Sequence, residues 1–134
     1  MIPNNPYQTY RNNAILTATK EELTLMLYDG ALKFCNQNIK ALEDKDFEAA
    51  HVLNMRVQDI IQEFQLSLDD QYEISESFVL LYDYLYRRTV EGNIQKDKEI
   101  MEEVRGLLKE LRDTWKEAMQ LAKKRPMAQA IVNE

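Results

Sequence analysis

Apolar positions in the last third of the chain recur at steps of three and four: Ile100, Val104, Leu107, Leu111, Trp115, Ala118 and Ala122. Residues spaced in this way lie over one another on a helix, so they form one continuous stripe. Ala50, Leu53, Val57, Ile60, Ile61, Phe64 and Leu68 make a second stripe of the same kind. Between the stripes lie polar breaks, Asp44-Lys45-Asp46 and Asp69-Asp70-Gln71. The pattern predicts four helices, over residues 20–43, 47–68, 76–91 and 97–125.

Local end signals set those bounds. Thr19-Lys20-Glu21-Glu22 reads as a capping box, Asp46 and Ser75 as caps, and Asp97 as the opening of the last helix. Gly92-Asn93 tolerates the left-handed conformation and is expected to end the third helix. Lys123-Lys124-Arg125 followed by Pro126 is expected to end the fourth, leaving residues 126–134 as a flexible tail. Long helices joined by short turns imply an all-α fold, an antiparallel up-down-up-down four-helix bundle. Residues 1–18 carry Asn and Pro beside Ile2, Tyr7, Tyr10, Ile15 and Leu16, without helical periodicity, and read as an extended or short-helical arm.

The helices carry more apolar surface than one core absorbs. In the first, Leu23, Leu27, Gly30, Phe34 and Ala41 form one stripe, with Leu25, Tyr28, Leu32, Cys35, Ile39 and Leu42 roughly opposite. The third places Phe78, Leu81, Tyr82, Leu85 and Thr89 on a core face, and leaves Val79, Leu80, Tyr84, Tyr86 and Val90 outside it. In the second, Val52, Met55 and Leu66 stand off the core stripe. A bundle buries a stripe about 100° to 150° wide on each helix, so wider arcs imply a further layer or helices that touch two neighbours. Tyrosine, with an apolar body and a polar tip, suits a face that is sometimes wet, and Tyr82, Tyr84 and Tyr86 are read in that way. Two covers are available: the arm itself, and an amphipathic segment of another protein laid in a groove.

With 134 residues the chain suits one domain, and its three prolines lie near the ends. Lys and Arg number 17 against 23 Asp and Glu, a net charge of -6, which argues against nucleic acid or an anionic membrane as main partner. No apolar run is long enough to insert in a bilayer, and there is no secretion signal; a cytoplasmic location is expected.

Catalytic and metal motifs find little support. Glu48-Ala49-Ala50-His51 has the E-x-x-H spacing of a di-iron site, but such sites need two copies and His51 is the single histidine. A histidine phosphotransfer bundle is the alternative, although HVLNMRVQ lacks the lysine and glycine that follow the histidine there. Cys35 on an apolar stripe reads as a buried, unreactive thiol. No phosphate loop or nucleophile triad is present, so neither an enzyme nor a cofactor is expected. Residues 22–29 and 76–83 align without gaps and share the ending Leu-Tyr-Asp, a hint of a doubled hairpin.

Several motifs in order resemble one family. NPYQTY at residues 5–10, TATKEELTLMLYDGALKF at 17–34, VQDIIQE at 57–63, LYDYLYRR at 81–88 and ELRDTWKEA at 110–118 are similar to the flagellar secretion chaperone family, FliS. The chain departs from it where members often have glycine before the third helix (here Gln71-Tyr72-Glu73-Ile74) and alanine in place of Gly92. The resemblance implies a cytoplasmic export chaperone that binds the disordered C-terminal segment of flagellin in apolar grooves. It also implies docking, client bound, on the cytoplasmic domain of the export-gate protein FlhA. From the helical faces, Tyr7, Tyr10 and Ile15 are the expected movable cover, and Met55, Leu66, Val79, Leu80, Tyr84 and Tyr86 the expected client contacts. Self-association through the same faces, as a homodimer, is the structural alternative.

Overall fold

The computed structural model describes the backbone of residues 6–68 and 74–133, and the side chains of residues 9, 12, 13, 15–68 and 76–123. The described residues are helical apart from short connections, in five elements: α1 (Pro6–Thr17), α2 (Lys20–Glu43), α3 (Phe47–Ser67), α4 (Ile74–Gln95) and α5 (Lys98–Asn133). Helices α2 to α5 pack as a square in which α2 and α4 each touch both α3 and α5. Lys98 at the start of α5 pairs with Glu43 at the end of α2 (3.3 Å), and the Trp115 indole, midway along α5, donates to the Glu21 carbonyl at the start of α2 (3.0 Å), so those two helices run antiparallel.

Helix starts follow the local code. Thr19 Oγ1 accepts from the Glu22 amide at 3.1 Å, Asp46 Oδ1 from Ala49 at 3.2 Å and Asp97 Oδ1 from Glu99 at 2.9 Å. Ser75 is not the residue before its helix, because α4 begins at Ile74. The N-terminal arm is helical over α1, although its sequence is only weakly amphipathic.

Two expected ends are corrected. Helix α4 runs through Gly92-Asn93 to Gln95, and the left-handed residue is Lys96, with φ 51°. Gly92 is small for another reason: a Cβ there would stand 2.6 Å from Met101 Sδ, so the glycine lets α5 approach. Pro126 does not end α5, which continues to Asn133. Proline's fixed φ is one a helix already uses, so the helix continues at the cost of one backbone hydrogen bond and of crowding between the ring and the carbonyl four residues before it. The expected tail therefore has a helical backbone.

The turns α2–α3 and α4–α5 are built alike. Asp46 N donates to Ala41 O (2.9 Å) and Lys45 N to Leu42 O (3.1 Å); Asp97 N donates to Gly92 O (3.1 Å) and Lys96 N to Asn93 O (3.4 Å). Each is a Schellman closure with a lysine in the left-handed position, φ 58° at Lys45, and an aspartate that caps the next helix.

The core answers which stripe of α2 faces inward. Tyr28, Leu32, Cys35, Ile39 and Leu42 are buried, whereas Leu23 is exposed and Leu27 and Phe34 only half-buried. Tyr28 stacks on Phe64 (4.3 Å between centroids) and Phe64 on Tyr82 (5.4 Å), while the Tyr28 and Tyr82 hydroxyls lie 2.7 Å apart. Tyr82, which its spacing places on the core face, is part of the core at 5% exposed and is not open to water as Tyr84 is. Burial pushes both phenols up from their ordinary pKa. Asn54 donates to Thr89 O (3.0 Å) and accepts from Gln58 (2.8 Å), and Asn38 donates to Ala50 O (2.7 Å), so the buried amides tie α3 to α4 and α2.

Candidate functional site

The outward stripe of α2 forms one side of a groove. Leu23, Leu27, Gly30 and Phe34 of α2 face Ile60 of α3, and the hollow along them has a volume of about 990 Å³. Gly30 keeps the floor low: a Cβ there would only reach ordinary contact with Ile60 Cδ1, at 3.6 Å. Met26 raises the α2 wall, and Ile15 of α1 lines the end of the groove. Met26 and Leu23 are each 36% exposed and Ile15 41%. The rim is charged, with Lys20, Asp29 and Lys33 on α2 and Asp59 and Glu63 on α3. Such a trough, apolar below and charged above, suits an amphipathic helix.

A smaller hollow of about 260 Å³ lies between α3 and α4, lined by Gln65, Leu68, Val79, Leu80 and Asp83. Leu80 is 72% exposed beside it. Val79 and Leu80, adjacent in sequence and expected to lie off the core face, both line this hollow.

The remaining expected contacts scatter. Met55 and Leu66 are exposed on α3 and line neither hollow. Tyr84 turns toward α5: its hydroxyl donates to Glu103 Oε1 at 2.8 Å, and Arg87 lies over its ring at 5.8 Å. Arg88 donates to the same oxygen at 2.9 Å, and Arg88 and the Tyr84 hydroxyl together hold the Glu103 carboxyl below the usual carboxylate range. Tyr86 points the other way, packs on the core and accepts from Gln62 Nε2 at 3.3 Å. The side chains of Tyr7 and Tyr10 lie outside the described residues. The α2–α3 groove residues were read from sequence only as a stripe, because periodicity finds two faces on α2 without saying which one the bundle takes.

Groups with chemical potential are occupied structurally. Cys35 is fully buried, donates to Met101 O at 3.4 Å, and has its thiol pKa pushed up to about 12 by burial. His51 is exposed, with Nδ1 3.0 Å from Asn93 Nδ2. Among the described residues no cluster of His, Cys, Asp and Glu is placed to hold a metal, and no helix is long and apolar enough to cross a membrane.

Comparison with known proteins agrees with this architecture. The family model "Flagellar protein FliS" matches residues 3–122. Flagellar secretion chaperone FliS of Bacillus subtilis (strain 168) is 43% identical over 92% of this chain and 93% of its own. The protein of the same name from Salmonella typhimurium (strain LT2) is 32% identical over 78% of this chain and 80% of its own. A solved structure described as a flagellar chaperone from bacteria superposes with a TM-score of 0.71 over 86% of this chain and 95% of its own, at 18% identity, which speaks to the fold. An all-helical bundle with a surface groove, matched along nearly its whole length, makes this chain a member of the FliS family of flagellar secretion chaperones.

Proposed function

We propose that this protein is a cytoplasmic export chaperone that holds the disordered C-terminal segment of flagellin in its apolar grooves and so delays polymerisation. The observation that carries the reading is the α2–α3 groove, whose apolar floor Leu23, Leu27, Phe34 and Ile60 is left open by the bundle. A disordered segment that becomes helical in such a trough offsets its burial with the entropy of ordering, so binding is specific yet reversible. Val79 and Leu80 beside the smaller hollow offer a second contact on the path of a wrapping client. Delivery follows by docking of the loaded chaperone on the cytoplasmic domain of FlhA, with transfer to that surface as the route of release.

Helix α1 is the candidate cover. Ile15 already lines the groove, and the short Ala18-Thr19 link connects α1 to α2. A client that competes with α1 for the groove would displace it.

Sedimentation of the purified chain with and without a flagellin C-terminal segment tests the reading. A one-to-one complex is expected. A species that self-associates and ignores the segment would favour the homodimer instead.

A further inference from the structure

The α2–α3 groove has walls of opposite charge. Lys20 and Lys33 stand on the α2 side, Asp59 and Glu63 on the α3 side, and all four are exposed. Among the described residues none of the four belongs to an ion pair. Asp29 also lines the α2 wall, but its charge is met by Arg112 Nη1 at 3.4 Å, which leaves that wall basic on balance; on α3, Arg56, a turn before Asp59, lies over the Phe34 ring at 5.4 Å. Asp59 and Glu63 are like charges at i,i+4, an arrangement that destabilises a helix on its own. A partner carrying the opposite charge removes that repulsion.

We propose that these walls orient the segment the groove takes: an amphipathic helix with its apolar face inward, a basic edge against Asp59 and Glu63, and an acidic edge against Lys20 and Lys33. This rests on the reading of the groove as the client site. The apolar floor is blind to direction, since an apolar stripe fits it either way along. The walls are not. Turning the helix end for end exchanges its edges and sets like charges against both walls, so polarised walls admit one running direction. From Lys20 to Phe34 the groove spans about 21 Å of helix, room for about four turns, long enough for each edge to present two charges. Attraction between such exposed groups is weak singly and screened by salt, and its main yield is discrimination.

Three synthetic amphipathic helices of about 20 residues test this, all with the same leucine stripe. One has arginines along one edge and glutamates along the other, a second has these edges exchanged, and a third has glutamine at every edge position. At low salt both charged peptides are expected to bind at least about tenfold tighter than the glutamine peptide, and to lose that advantage near 0.5 M salt. The Asp59→Asn/Glu63→Gln variant, expected to fold normally because both sites are exposed, should reduce the advantage at low salt as well. A nitroxide on the peptide N-terminus should broaden amide signals at opposite ends of the groove for the two charged peptides. Equal affinity of all three, or the same end broadened by both charged peptides, would overturn the proposal while leaving the groove as a binding site. Failure of every peptide to bind would remove the groove reading along with it.

Discussion

Gly92 and Lys96 reverse the roles their residue types suggest. Glycine usually marks a left-handed turn, yet here it sits within α4 because Met101 needs the space, and the left-handed position four residues later is a lysine. Gly92→Ala is therefore expected to cost about 1–3 kcal/mol, read as a lower denaturation midpoint, because Met101 is buried and held against Asn54 Nδ2 at 3.4 Å. Lys45→Gly should instead stabilise by about 0.5–1 kcal/mol, since a Cβ is strained at φ 58°. Cys35 gives a pH signature. Its folded pKa, about 12, lies above the ordinary value of 9.0, so the folded state retains the proton that the unfolded chain gives up. That contribution is complete below pH 9.0 and is lost as pH rises toward about 12. Alkaline denaturation of Cys35→Ala should show a shallower loss across that window than the parent. In the native protein at neutral pH the thiol should react with disulfide reagents only as fast as the chain opens.

The elements show where sequence is informative and where it is not. Helix starts were legible at Thr19, Asp46 and Asp97, because a cap is a bond between a side chain and its own first turn. Helix ends were less so: Gly92 depends on a residue of another helix, and Pro126 lies within α5 despite the backbone hydrogen bond that a proline cannot make. Helix α5 outruns the bundle, since Trp115 is already level with the first turn of α2 and Ala118 is exposed beyond it. The two stripes of α2 were visible as stripes, but which of them is interior is settled by the aromatic stack around Phe64. On α4, Tyr84 and Tyr86 are two residues apart and so face different neighbours. Tyr84→Ser should leave the melting temperature nearly unchanged, whereas Tyr86→Ser, packed against the core, should lower it by several degrees; differential scanning calorimetry separates the two. For α1, removal of residues 1–18 should speed or tighten client binding if the helix competes for the groove. Unchanged or weaker binding would make α1 part of the site instead.

At the scale of the whole molecule, two hairpins with the same Lys-Asp turn meet at one pair of tyrosines. The Leu-Tyr-Asp endings shared by residues 22–29 and 76–83 supply Tyr28 and Tyr82, whose hydroxyls are 2.7 Å apart. That aromatic centre takes the inner stripe of α2 and leaves the outer one to the groove, so a single packing choice creates both the core and the groove. The most direct measurement is a calorimetric titration of the intact protein with a flagellin C-terminal segment, beside the Leu23→Asp/Met26→Asp variant, whose changes lie at exposed positions lining the groove. One-to-one binding with a negative heat-capacity change is expected, weakened at least about tenfold in the variant while its melting is little altered. No binding, or equal affinity in the two proteins, would contradict a chaperone that works through this groove.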